Sequence, residues 1–245
     1  HVLKNHLNDP SPDPSLWKFV LSKDFESATD EQKFGVESIV LHSAWNKRLI
    51  ENNGKGDGDE LGVDIALVFL KNPVVGVYPA KLPIGEIEAV GSRIVLAGYG
   101  TRVDGVSGVI NSKNSKRVGG ENILDRVVVE VDAPMVDISE KGGLIAVDFD
   151  SPVQDKNTLG ESASVVDYLG QGSSSSSPLP FEASTATGDS GGPAFLYQNN
   201  SWRVVGVLSY GTSDSTYGDI TIFTRVGSHL DWIQKFLPNW SQGRT

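Results

Sequence analysis

The feature that most constrains the fold is a rhythm of short apolar runs. Trp17–Ser22, Val36–His42, Ile65–Leu70, Arg93–Tyr99, Arg126–Val131, Leu144–Phe149, Arg203–Tyr210 and Asp219–Val226 are rich in Val, Ile, Phe and Tyr, and each is closed by Gly, Pro, Asn, Asp or Ser. β-Branched and aromatic side chains suit a half-buried pleated surface, and the turn residues punctuate it. The pattern is therefore that of an all-β barrel or sandwich. A helix is readable at the end of the chain. Ser228 is placed to cap it, Asp231 stands three residues on as a short-armed capping box, and Pro238 stops it. Leu230, Ile233, Phe236 and Leu237 share one face, which predicts that this helix packs on the strands. A chain of 245 residues can bury one sizeable core or two small ones packed together.

Charge and composition exclude several function classes. The net charge of −10 repels phosphate backbones and anionic lipid, so nucleic acid is not an expected partner. Zero cysteine removes disulfides, thiolate nucleophiles, thiolate zinc sites and iron–sulfur clusters, which leaves Ser, Thr, Lys, carboxylates and 4 His for any chemistry. The apolar stretch from Ile65 to Val77 is broken by Lys71 and Pro73 and is too short to span a bilayer. The sequence opens on His1 rather than Met, with nothing that reads as a signal peptide, so a missing N-terminal segment is expected. Three polar stretches read as surface loops: Asn8–Ser15, Glu51–Glu60, and Gly170–Pro180 with its serine run Ser173–Ser177, a flexible linker within a loop. Glu51, Asp57, Asp59 and Glu60 invite a calcium reading, but their spacing misses the EF-hand template, and a plain solvated loop is the simpler expectation.

The residues with the sharpest chemistry are Thr187-Gly188-Asp189-Ser190-Gly191-Gly192-Pro193. A serine hydroxyl needs a base to take its proton and backbone N–H groups to receive an oxyanion, and flanking glycines allow the close approach both require. The string resembles the nucleophile motif of the chymotrypsin/trypsin-like serine endopeptidases. The resemblance implies that Ser190 is the nucleophile, that the N–H groups of Gly188 and Ser190 form the oxyanion hole, and that Asp189 pairs with an amino group released when a pro-segment is cut. Asp64-Ile65-Ala66-Leu67 is similar to the family's string bearing the histidine-orienting aspartate, and Ser209-Tyr210-Gly211 to the strand that pairs with substrate main chain.

The base is the least marked member. His1-Val2-Leu3 resembles the continuation of the family's T-A-A-H string, with Val2 where cysteine usually stands, so His1 is the expected base and His6 the alternative. The segment around His42 resembles a noncatalytic stretch of the family, and His229 follows the nucleophile, where the family shows no catalytic role. Counting back from Ser190 puts Ser184 at the floor of the specificity pocket, with Thr221 on its wall and Gly211 opposite. An uncharged floor argues against cleavage after Lys or Arg and for small or medium apolar residues before the cleaved bond.

The resemblance implies two packed antiparallel six-stranded β-barrels with the site between them: about residues 1–90, then 91–226, then a helix over 227–238. It implies a cofactor-free and metal-free hydrolase that acts on peptide or protein substrates as a monomer, secreted or periplasmic. Gly142–Ala186 aligns poorly, and its Leu144–Asp150 strand reads as an insertion near the pocket. Asn199-Asn200-Ser201 and Asn239-Trp240-Ser241 match the N-glycosylation pattern. A fold kept without chemistry, as a binding module, is the alternative, and a β-rich adhesion domain explains the strands but not the Ser190 block. The missing cysteines depart from the family's usual disulfide bracing and favour a bacterial over an animal source.

Overall fold

Residues 1–3, 12–51, 59–85, 87–111, 115–132, 137, 141–160, 169–212 and 215–237 are described by a computed structural model of the protein. Strands β1 (Lys18–Val20), β2 (Lys33–Leu41) and β3 (Ala66–Leu70) form a small antiparallel sheet in that order. Between β2 and β3 runs a helix that the strand rhythm hid, α1 (Ser43–Glu51). It forms because Trp45 and Leu49, four residues apart, bury one face while Ser43, Lys47 and Glu51 stay toward water.

The second sheet contains β4 (Arg93–Gly98), β7 (Val118–Ile123), β8 (Arg126–Val128), β9 (Leu144–Asp148), β10 (Pro193–Gln198), β11 (Ser201–Gly211) and β12 (Ile220–Arg225). Its order is β7-β4-β10-β11-β12-β9-β8, antiparallel throughout. The two edge strands are consecutive in sequence, joined by only Leu124 and Asp125, so the sheet must curl until its edges meet. A separate hairpin pairs β5 (Arg102–Asp104) with β6 (Gly108–Asn111).

Two strands explain where the cores lie. Every residue of β9 and β12 is buried, so both faces of these strands are covered. Ile145, Val147 and Phe223 point into the curl with Ile94, Leu96, Leu124 and Leu208. Leu144, Ala146, Ile220 and Ile222 face the other way, against Trp45 and Leu49 of α1 and against Leu61 and Val63. That second cluster joins the two sheets and fixes the loop that precedes β3.

The all-β class with a closing helix holds, with strands distributed unevenly: seven in the curled sheet and three in the smaller one among the described residues. Several local expectations need correction. Leu144–Asp148, read as part of an insertion near the pocket, is an integral strand of the curled sheet, paired between β12 and β8. Ser228 does not cap the last helix; its hydroxyl donates to the Val129 carbonyl, and a 3-10 turn over Val226–His229 leads into α2 (Leu230–Phe236). Leu230 and Ile233 are buried on α2, whereas Phe236 keeps about a third of its surface exposed. The serine run is pinned rather than free, because Ser174 and Asn157 exchange two hydrogen bonds. Pro238 and residues 239–241 lie outside the described residues.

Candidate active site

The Ser190 turn is built by glycine. Gly188 and Gly191 hold φ of +98° and +81°, in the left-handed region where a side chain would be strained. The turn closes through Asp189 N–H to the Ala186 carbonyl and Gly192 N–H to the Asp189 carbonyl, and it is tied to β11 by Gly191 N–H to the Leu208 carbonyl. Among the described residues no acceptor takes the amide N–H of Gly188 or Ser190. Ser190 is exposed. Asp189 points the other way: its carboxylate accepts from Gly100 N–H at 2.7 Å and from Ala186 N–H at 3.0 Å. A Cβ at Gly98 would stand 1.9 Å from Asp189 Oδ1, so only glycine leaves room for that seat.

Asp64 precedes β3 and is buried. Such a carboxylate must be compensated, and here three donors converge on it. His1 Nδ1 lies 2.5 Å from Oδ2, the His1 main-chain nitrogen donates to Oδ1 at 2.5 Å, and Ser209 Oγ donates to Oδ2 at 2.7 Å. Thr224 Oγ1 of β12 also donates to the Asp64 carbonyl at 3.0 Å. The chain start and the serine turn are neighbours, since a Cβ built on Gly191 would lie 4.0 Å from Val2 Cγ2.

Ser190 lines a cavity of about 210 Å³ together with Thr185, Tyr210, Gly211, Asp219 and Thr221. Gly211 is exposed at the end of β11, opposite Thr221, and a bulge between Leu208 and Tyr210 turns Ser209 toward Asp64. Ser184 does not line this cavity. It reaches it through a 3.3 Å contact with Thr221 Oγ1 and itself lines a second cavity of about 300 Å³ beside Asp189. The Asp219 carboxylate is held by Thr212 Oγ1 at 2.5 Å and Ser215 N–H at 2.7 Å.

Behind Ser184 sits a group of acids. Asp150 N–H donates to Glu182 Oε1, Asp148 N–H to Asp125 Oδ2, and Leu159 N–H to Asp148 Oδ2. Burial, with Asp148 and then Glu182 nearby, pushes the Asp150 carboxyl up to about 7. Burial and the neighbouring Asp148 also raise Asp125, and burial raises Glu182.

The other histidines are accounted for. His42 stacks edge-on against His229 at 4.9 Å and on Trp232, and burial lowers it to about 4. His229 Nε2 meets the Gly62 carbonyl at 2.7 Å, and burial lowers its pKa too. Both therefore buttress the loop that carries Asp64. His6 lies outside the described residues.

Comparison with known proteins adds an independent line. The sequence profile of the trypsin family matches residues 153–233. Mannan-binding lectin serine protease 1 of Homo sapiens is 24% identical over 253 aligned positions, covering 96% of this chain and 29% of that protein. Spermosin of Halocynthia roretzi is 26% identical over 125 residues, 51% of this chain and 26% of its own length. Vitamin K-dependent protein C of Mus musculus is 38% identical over 50 residues, 20% of this chain and 11% of its own. The chain is similar to the trypsin-like serine proteases. It spans about a quarter of the length of the first two relatives. All three are animal proteins, which lends no support to a bacterial source.

Several residues of this candidate site escaped the sequence reading. Thr224, Thr185 and Asp219 carry no local motif, and only strand pairing brings them to Asp64 or to the cavity. Asp59 also departs from the solvated-loop expectation: it is half-buried, and its Oδ1 accepts Trp45 Nε1–H at 2.8 Å. Residues 52–58, Asp57 included, lie outside the described residues.

Proposed function

We propose that this domain is a serine endopeptidase in which Ser190 attacks the peptide carbonyl, His1 carries the proton and Asp64 orients His1. The observation that carries the reading is the 2.5 Å approach of His1 Nδ1 to Asp64 Oδ2 beside the Ser190 turn. A carboxylate on Nδ1 holds the ring's proton there, which leaves the Nε2 lone pair to take the Ser190 proton and stabilises the imidazolium that forms. His1 then protonates the leaving amine, and water repeats the cycle on the acyl-enzyme. The amides of Gly188 and Ser190, with no described acceptor, suit the oxyanion.

Substrate main chain pairs along Ser209, Tyr210 and the exposed Gly211, as an added antiparallel strand. The preference is for a small or medium apolar side chain before the cleaved bond. Support comes from the uncharged hydroxyls of Ser184 and Thr221 at the pocket. Asp189 lines the larger, mostly apolar cavity with Leu96, Ile110 and Phe223, a place for the apolar end of a newly cut chain whose ammonium pairs with it. The enzyme works outside the cytosol, on protein substrates, as a monomer. No helix among the described residues is long and apolar enough to cross a membrane.

A fluorophosphonate probe tests the reading. The full-length processed protein should be labelled, and Ser190→Ala should abolish labelling; an unlabelled wild type returns the domain to the binding-module reading. Peptide anilides ending in Ala, Val, Leu, Phe or Arg test the pocket, and a dominant Arg rate rejects the preference.

A further inference from the structure

We propose that His1, Asp59 and Asp64 form a site for a divalent transition-metal ion whose occupation switches the protease off. The proposal rests on the reading of His1 and Asp64 as base and orienting acid and adds a regulator of that same site. One ligand atom from each of the three residues lies within 4.8 Å of the others, and among the described residues no other group of His, Asp and Glu meets that condition. Tetrahedral zinc, with ligands at about 2.0–2.2 Å, needs its donors roughly 3.4 Å apart, so a movement of about an ångström closes the set.

The donors are already oriented by partners behind them. Trp45 Nε1–H, from the buried face of α1, holds Asp59 Oδ1, and Ser209 Oγ–H holds Asp64 Oδ2. Second contacts of this kind fix ligand orientation in built metal sites. One imidazole and two carboxylates suit zinc among common divalent ions, with water as fourth ligand, while an ion that wants six or more oxygens is poorly served. The chain's net charge of −10 raises the local cation concentration.

The chemistry of inhibition follows from the tautomer. Coordination through Nδ1 uses that nitrogen's lone pair, so the ring's one remaining proton must sit on Nε2. With Nε2 protonated, His1 cannot take the proton of Ser190. The proton-transfer steps assigned above use Ser190, His1 and Asp64, and Asp59 enters only as a metal ligand, with its Oδ1 held by Trp45.

The test uses the full-length processed protein and zinc chloride. Zinc should inhibit anilide hydrolysis saturably and chelation by EDTA should restore it, while calcium chloride at the same concentrations should leave the rate unchanged. Asp59→Asn, which keeps an oxygen for Trp45, should leave metal-free hydrolysis unchanged and raise the zinc inhibition constant about 10- to 100-fold. Calorimetry on Ser190→Ala, which needs no activity, should show one zinc per chain, weakened by the same factor when Asp59→Asn is added. Absence of zinc binding to Ser190→Ala, or binding and inhibition indifferent to Asp59→Asn, overturns the metal site. Failure of the metal-free wild type to react with a fluorophosphonate would instead overturn the protease reading and leave the calorimetric result to judge the metal.

Discussion

Replacing Asp150 with Asn should make the protein more stable in alkali and leave it unchanged in acid. Asp150 is 7% exposed, its Oδ1 has no hydrogen-bond partner among the described residues, and Asp148 and Glu182 face it. Below about pH 4 the carboxyl is protonated whether the chain is folded or not, so burial costs nothing. Between about pH 4 and 7 the unfolded chain ionises first, and folding loses stability as pH rises; above about 7 the full cost stands. The gap between 3.8 and about 7 corresponds to at most ~4 kcal/mol. Glu182 beside it is only half-buried, and solvent screening of its charge reduces the working figure to ~2 kcal/mol. For a domain of this size that is about 4–8 °C in Tm. Urea unfolding of wild type and Asp150→Asn at pH 8.5 and pH 4 reads the effect as a difference, so other titrating groups cancel. The reasoning is refuted if the variant gains nothing at pH 8.5, or gains as much at pH 4.

Three further outcomes follow from other contacts. His42, held neutral by burial with a pKa near 4, makes the wild type lose stability as pH falls from 6.5 toward 4, by up to ~3 kcal/mol; His42→Phe should flatten that slope in urea titrations, and parallel slopes would contradict it. Ser209→Ala removes a hydrogen bond to a buried carboxylate and should cut kcat roughly tenfold with KM little changed, whereas a change confined to KM would show that Ser209 only binds substrate. Gly98→Ala puts a Cβ 1.9 Å from Asp189 Oδ1 and should abolish fluorophosphonate labelling while the circular dichroism of the sheets persists; normal labelling would mean that the Asp189 seat does not govern the turn.

The sequence by itself determined the strand-rich class, most strand positions and the serine turn, and it carried the resemblance to the trypsin-like proteases. These are local properties: β-branched runs between turn residues, and glycines at positions of positive φ, are visible in consecutive letters. It was least informative where the signal was weak or mixed. Val118–Ile123 pairs with β4 despite two central glycines, and α1 falls between the expected strand Val36–His42 and the expected loop Glu51–Glu60, where no element is read. Tertiary structure alone decided what long-range pairing decides. Strand β9 became the joint between two cores because both its faces are covered, Thr224 and Ser209 reached Asp64 across 160 and 145 positions, and Asp59 came beside His1 because α1 presents Trp45 to hold it. The acids behind Ser184 likewise show no motif, since a carboxyl's burial depends on which strands fold over it, and consecutive letters do not carry that information.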